Sequence, residues 1–137
     1  MILIHQFNPE IYPYKLWIVI TADEKIIKKH FNDSNDEELD VEIFSTSKAI
    51  TGRVINKETR DKGILIVFKT KRFITMNTVA HESTHAARFI WNMMGEKEVI
   101  GVESDAYLVG WIAGCCENVR RYKEVKKEGS SPSFSSK

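Results

Sequence analysis

Two histidines and a glutamate form the pattern in this sequence that is best suited to chemistry. His81 and His85 are four positions apart in a stretch of helical composition, so their imidazoles would lie on one helix face, about one turn apart. Two such imidazoles are suitable ligands for a zinc ion. Glu82 lies beside them and could take a proton from a zinc-activated water. The spacing predicts a zinc-dependent hydrolytic site with Glu82 as general base.

A zinc site of this kind needs a third protein ligand, and no histidine follows His85. The acidic candidates downstream are Glu96, Glu98, Glu103 and Asp105. The helix climbs only ~15 Å from His85 to Gly95, whereas the following connection of about seven residues can span ~23 Å. The chain can therefore return to the metal at the start of the next helix. This geometry favours Glu103, with Glu98 and Asp105 as weaker alternatives.

Four segments have the β-branched and aromatic composition of strands. They are residues 15–21, 41–47, 52–59 and 62–69. Short turns separate the last three, which favours an antiparallel meander. The run from Gly63 to Phe68 is the most continuously apolar, so we expect it to be covered on both faces. The polar stretch 32–38 is expected to be an exposed loop.

Three helices are expected to accompany these strands. The first begins at residue 21 or 23 and ends at 30, with acidic residues first and basic residues last, as the helix dipole favours. The motif helix follows a cap between residues 75 and 78 and ends at Met94, before Gly95. The last runs from about residue 102 to 123. The sequence thus predicts an α+β fold, a mainly antiparallel sheet of about four strands with three helices. A single domain would cover residues 1–126, and 127–137 would form a disordered tail.

The bulk composition limits the classes of partner. The 137 residues, 42% of them hydrophobic, suffice for one core but hardly for two domains. The net charge of +1 supplies no field for gathering phosphate backbones, so nucleic acid is not an expected partner. No apolar run approaches the ~20 residues of a membrane helix, and the N-terminus does not read as a secretory signal. Cys115 and Cys116 are expected to be reduced thiols of a cytoplasmic protein.

Residues 78–112, TVAHESTHAARFIWNMMGEKEVIGVESDAYLVGWI, resemble the zincin metallopeptidases of the glutamate-ligand type. The likeness is strongest to the short zincin-like proteins encoded by bacteriophages, which IYPYKLWIVI near the N-terminus also resembles. The resemblance implies a small zincin-like fold in the cytoplasm of a bacterial host. It also implies Zn²⁺ bound by His81, His85 and Glu103, with Glu82 as the general base of peptide-bond hydrolysis.

The chain departs from larger enzymes of this type in two respects. Thermolysin-like enzymes use a downstream histidine to stabilise the oxyanion, and this chain has none. Tyr107, one helical turn after Glu103, could serve instead, or could be simply a packed aromatic residue. A second domain forming the far wall of the cleft is also missing. The site is therefore expected to be shallow, to bind an extended peptide along an edge strand, or to be completed by another subunit.

Two classes of function follow. The first is a zinc metallopeptidase acting on a peptide or protein substrate. The alternative is a zincin-fold protein that holds zinc, or has lost it, and works by contacting a partner, as the missing second domain suggests. A helical interaction module with an accidental motif is a third reading, and it predicts no stoichiometric metal.

Overall fold

The computed structural model of the protein describes residues 2–40, 46–96 and 98–123. The strands are β1 (Ile4–Phe7), β2 (Lys15–Ile20), β3 (Phe31–Asp33), β4 (Ala49–Asn56) and β5 (Lys62–Phe68). The helices are α1 (Glu24–His30), α2 (Met76–Met93) and α3 (Glu103–Arg121). The strands form one sheet in the order β1-β2-β5-β4-β3. The predicted α+β class is therefore confirmed.

The sheet is mixed, with one parallel pair at its centre. β2 and β5 run parallel, and the other three neighbouring pairs are antiparallel. These two central strands are the most apolar in the chain, because helices cover both faces of the sheet where they lie. The side chains from Gly63 to Phe68 are all buried, as their composition predicted.

Apolar side chains of β2 and β5 alternate between two cores. One core contains Leu16, Ile18, Ile64, Ile66 and Phe68 and is completed by α2 and α3. The other contains Trp17, Val19, Leu65 and Val67 and is completed by Ile27 of α1 and by Phe31. The period of two along each strand thus assigns successive residues to opposite faces of the sheet.

The expected number of about four strands is wrong, since the described residues form five. β1 was not predicted, and β3 falls partly inside the expected loop 32–38. Both are short edge strands that owe their conformation to backbone pairing with a neighbour rather than to composition. β4 begins at Ala49, three positions before the predicted start at residue 52, because it pairs with β5 as far as Phe68.

Two predicted features fall largely on undescribed positions. Residues 41–45 of the expected strand 41–47 lie outside the described residues, and residues 46 and 47 are not in a strand. The predicted tail, residues 127–137, also lies outside the described residues. No helix in the described ranges is both long and apolar enough to cross a membrane.

Helix α2 begins and ends as the sequence indicates. The hydroxyl of Thr75 accepts a hydrogen bond from the backbone N–H of Thr78, which caps the helix. Gly95 follows the helix with φ +75°, a conformation in which glycine has no steric penalty. Between these ends the helix packs on β4, β5 and α3. This packing fixes which side of the motif faces the core.

Candidate functional site

Helix α2 brings His81 and His85 together on its exposed side. Their Nε2 atoms are 3.1 Å apart, and the ring centroids are separated by 4.6 Å in an edge-to-face arrangement. Nitrogens at this distance share a hydrogen bond when one ring donates and the other accepts. Two nitrogens this close on one exposed helix face are near enough to bind one ion together.

The separation of the two nitrogens fits a zinc ion. Zn–N bonds of 2.0–2.1 Å at a tetrahedral angle place two imidazole nitrogens ~3.3 Å apart. The observed 3.1 Å between His81 and His85 differs from this value by a few tenths of an ångström, which small side-chain rotations supply. The donor pair is thus sterically and chemically suited to zinc.

Glu82, the next residue after the first histidine, is turned towards the sheet. Only 6% of its surface is exposed, and its Oε1 accepts a hydrogen bond of 2.5 Å from the hydroxyl of Thr51. Thr51 lies on β4 opposite Ile66 of β5, so the sheet fixes its position. A carboxylate in such a site is held in one orientation by its partner. Sequence reasoning missed Thr51, since no local signal links residues 31 positions apart.

A cavity of about 450 Å³ opens in front of the histidines. Helix α2 contributes His81, Glu82, His85 and Phe89 to its wall, and the sheet side contributes Asp33, Leu39, Asp40, Ala49, Ile50, Thr51, Gly52, Arg53, Val54 and Leu65. Phe89 stacks on the His85 ring, with centroids 6.5 Å apart. The guanidinium of Arg53 lies over Phe89, 5.4 Å from the ring centroid. An aromatic residue and a cation therefore border the histidine pair.

None of the described acidic candidates for a third ligand forms a metal-binding group with the two histidines. No group of three His, Cys, Asp or Glu side chains that could hold a metal ion occurs among residues 2–40, 46–96 and 98–123. Glu103 is the first residue of α3. Its side chain is exposed and makes no hydrogen bond or ion pair with another residue in the described ranges. Glu96 and Glu98 are also exposed.

Asp105, the other acidic candidate, is committed to the contact between α2 and α3. Its Oδ1 accepts a 2.9 Å hydrogen bond from Trp91 Nε1, and its Oδ2 accepts one of 2.9 Å from the N–H of Gly101. The Nε of Arg88 lies 4.0 Å from Oδ2. These contacts satisfy a buried carboxylate inside the protein. Asp105 therefore acts as an anchor for the start of α3.

Tyr107 lies in a different cavity from the histidines. It is 72% exposed and lines a space of about 430 Å³ together with Ile11, Tyr12 and Trp111. Its hydroxyl is not part of the wall in front of His81 and His85. The structure does not bring the proposed oxyanion stabiliser to the site.

Cys115 and Cys116 are free, buried thiols on α3. Burial raises the pKa of each to about 12. Ser83 lies beside Cys116, and its buried hydroxyl makes no hydrogen bond of ordinary geometry. The two thiols are thus packed behind the motif helix in their protonated form, where they fill space as small apolar residues do.

Comparison with known proteins provides no relative from which a function could be transferred. No family model matches the sequence, and no curated protein or solved structure matches it. The features that indicate a function are therefore the histidine pair, Glu82 and the cavity in front of them.

Proposed function

We propose that the protein is a zinc-dependent peptidase whose site is built on α2. The observation that carries this proposal is the convergence of the His81 and His85 nitrogens at 3.1 Å beside a buried carboxylate and an open cavity. Exposed ring nitrogens are available to a metal, and the neighbouring carboxylate is available to a proton. The proposed zincin-like character of the fold rests on the same helix and on its resemblance in sequence.

Each residue of the motif has a distinct part in the proposed reaction. His81 and His85 bind the ion through Nε2. Zinc, when bound, polarises a carbonyl group and lowers the pKa of water. Glu82 accepts a proton from the attacking water and delivers it to the leaving amine. Because Thr51 already donates to Oε1, Oε2 is the oxygen that remains available for this transfer.

Glu103 is the third ligand that we propose. It is exposed and has no partner within the described part of the chain, whereas both oxygens of Asp105 already accept hydrogen bonds. Because no described acidic side chain forms a metal-binding group with the two histidines, Glu103 would have to turn towards the ion. A carboxylate without internal partners can do so without leaving a buried donor unsatisfied. This contrast supports Glu103 over Asp105.

A zinc-binding protein that contacts a partner without turnover is the second candidate. The position of Tyr107 in a separate cavity favours it, because an oxyanion then lacks the donor that we expected from that side chain. Backbone N–H groups of the sheet edge would have to supply this stabilisation if the protein is a peptidase.

Metal content and turnover together test the proposal. The parent protein should retain about one zinc ion per chain, and His85→Ala and Glu103→Ala should lose it. Glu82→Gln should keep zinc but not cleave a peptide library that the parent cleaves. His30→Ala at the end of α1 and Glu24→Ala at the start of α1 are matched controls, and both should keep zinc and activity.

Two outcomes would contradict the proposal in different ways. A Glu82→Gln protein as active as the parent would exclude the carboxylate as general base. A parent protein that binds no zinc even when zinc is supplied would exclude the metal site. Zinc bound without cleavage of any peptide would favour the second candidate.

A further inference from the structure

An open groove continues past the histidine pair on the side of the α2 N-terminus. A second cavity of about 310 Å³ is lined by Ser47, Lys48, Ala49, Asn77, Thr78, His81 and Glu82. It shares Ala49, His81 and Glu82 with the cavity of about 450 Å³ described above. The two cavities therefore form one groove that follows β4, and we call it the β4 groove. The motif lies near its middle.

The length of the β4 groove suits an extended peptide. From Lys48 to Arg53 the chain advances five positions, which corresponds to ~17 Å in strand conformation. An extended hexapeptide has the same span. Thr51, which holds the carboxylate of Glu82, lies between these ends. The middle of such a peptide would lie next to the motif.

Both ends of the groove carry a cation held against an aromatic ring. The Nζ of Lys48 lies 5.8 Å from the centroid of Phe73, and the guanidinium of Arg53 lies 5.4 Å from that of Phe89. Both cationic residues are exposed, and neither forms an ion pair with another described residue. Contact with a ring restricts each side chain while the charge stays accessible to a ligand.

The carboxylates in the groove are already engaged within the protein. Oδ1 of Asp33 accepts hydrogen bonds of 2.9 Å from the N–H groups of Asn35 and Glu37. Asp40 also has a partner, and Glu82 accepts from Thr51. The three carboxylates thus have internal partners, whereas neither cation has an anionic partner among the described residues. The two ends of the groove, where these cations lie, are consequently the places that can pair with anionic side chains of a ligand.

We propose that the β4 groove binds extended acidic peptides, with carboxylate side chains about five residues apart bound by Lys48 and Arg53. The peptide bonds between these carboxylates lie over His81 and Glu82, so acidic peptides are the substrate class. The cleavage of such peptides rests on the proposed peptidase function. Their binding does not, because the two cations act independently of zinc.

Peptide binding tests the inference without requiring turnover. Three fluorescein-labelled hexapeptide libraries have acetylated and amidated ends, mixed uncharged inner positions, and Glu, Gln or Lys at both outer positions. Fluorescence anisotropy measures their binding to full-length Glu82→Gln protein. The Glu library should bind most tightly, and its affinity should fall as salt is added, because accessible charge pairs are screened.

Substitutions of Lys48 and Arg53 test whether these two residues bind the carboxylates of the peptide. Lys48→Gln and Arg53→Gln should each weaken binding of the Glu library about threefold to fivefold, the upper range for accessible ion pairs, with no effect on the Gln library. Lys25→Gln and Arg121→Gln remove exposed charges elsewhere and should leave binding unchanged. A crystal structure or spectrum of each variant matching the parent excludes misfolding.

The outcomes separate this inference from the peptidase proposal. Equal or weaker binding of the Glu library relative to the Gln or Lys library would overturn the inference, as would equal effects of the groove and control variants. No binding of any library would also overturn it. Preferred cleavage of uncharged peptides would leave the peptidase intact but contradict the acidic substrate class. Tight binding of the Glu library without cleavage by the parent would support the inference and count against the peptidase.

Discussion

Substitution of Thr51 by valine removes the hydrogen bond that holds Glu82, the proposed general base, and leaves the shape of the side chain nearly unchanged. The hydroxyl lies 2.5 Å from Oε1 of Glu82, whose side chain is only 6% exposed. Hydrogen bonds to charged groups contribute about 1.5–3 kcal/mol. Thr51 is half-buried at the edge of the groove, so water can replace part of the lost interaction. We expect the free energy of unfolding to fall by ~1–2 kcal/mol.

Urea unfolding of four proteins measures this interaction. The parent, Thr51→Val, Glu82→Met and the double variant form a cycle that isolates the energy shared by the two side chains, because methionine is of similar length and removes the oxygen that accepts from Thr51. That energy should be about 1 kcal/mol, because the pair is in direct contact. Thr51→Ser keeps the hydroxyl and should restore most of the stability. If the protein is the zinc peptidase that we propose, Thr51→Val should lower turnover while the zinc content stays constant, since it displaces the proposed base and not the proposed ligands.

Two results would refute this reasoning. If Thr51→Val unfolds at the same urea concentration as the parent, the hydrogen bond does not stabilise the fold. If Thr51→Val costs as much in the Glu82→Met background as in the parent, its effect arises from packing on β4 and not from the hydrogen bond to the carboxylate.

Three further predictions concern the elements around the site. Asp105→Ala leaves the indole N–H of Trp91 without its acceptor, and urea unfolding should record a loss of ~2–4 kcal/mol. Gly63→Ala would bring its Cβ to 2.2 Å from a backbone oxygen of β2, so displacement of that strand should cost about 3 kcal/mol, and an unchanged unfolding midpoint would contradict the packing. Because burial raises the pKa of Cys115 and Cys116 to about 12, both thiols stay protonated near pH 8. A thiol reagent should label them only after unfolding, and rapid labelling of the native protein would contradict their burial.

The helices could be predicted closely because their signals are local. Helix α2 was expected to follow a cap between residues 75 and 78 and to end at Met94, and it spans Met76–Met93. Its cap, its apolar period and Gly95 all lie within the segment itself. The strands β1 and β3 carry no comparable signal, since their short sequences include polar residues such as Gln6 and Asn32. Their conformation depends on partners that are distant in sequence.

The candidate site likewise combines one feature that follows from local sequence with contacts between residues that are distant in sequence. The convergence of His81 and His85 follows from a spacing of four on any α-helix, and the structure confirms that the rings meet. The partner of Glu82 is on β4, and the cation beside Phe89 is Arg53 of the same strand. These contacts depend on how α2 packs against the sheet. The spacing of residues along the helix does not determine that packing.

The distance between α2 and the sheet is set by small residues on the core side of the motif. Ala86 and Ala87 are fully buried in the core that α2 shares with α3 and the sheet, and their short side chains allow these elements to approach one another closely. This approach brings Glu82 within hydrogen-bond distance of Thr51. The rotation of ~100° per residue along a helix then leaves the histidines at the rim of the groove while the carboxylate turns inward. The alanines after the motif thus have a chemical consequence, since bulkier residues there would separate the carboxylate from the strand that orients it.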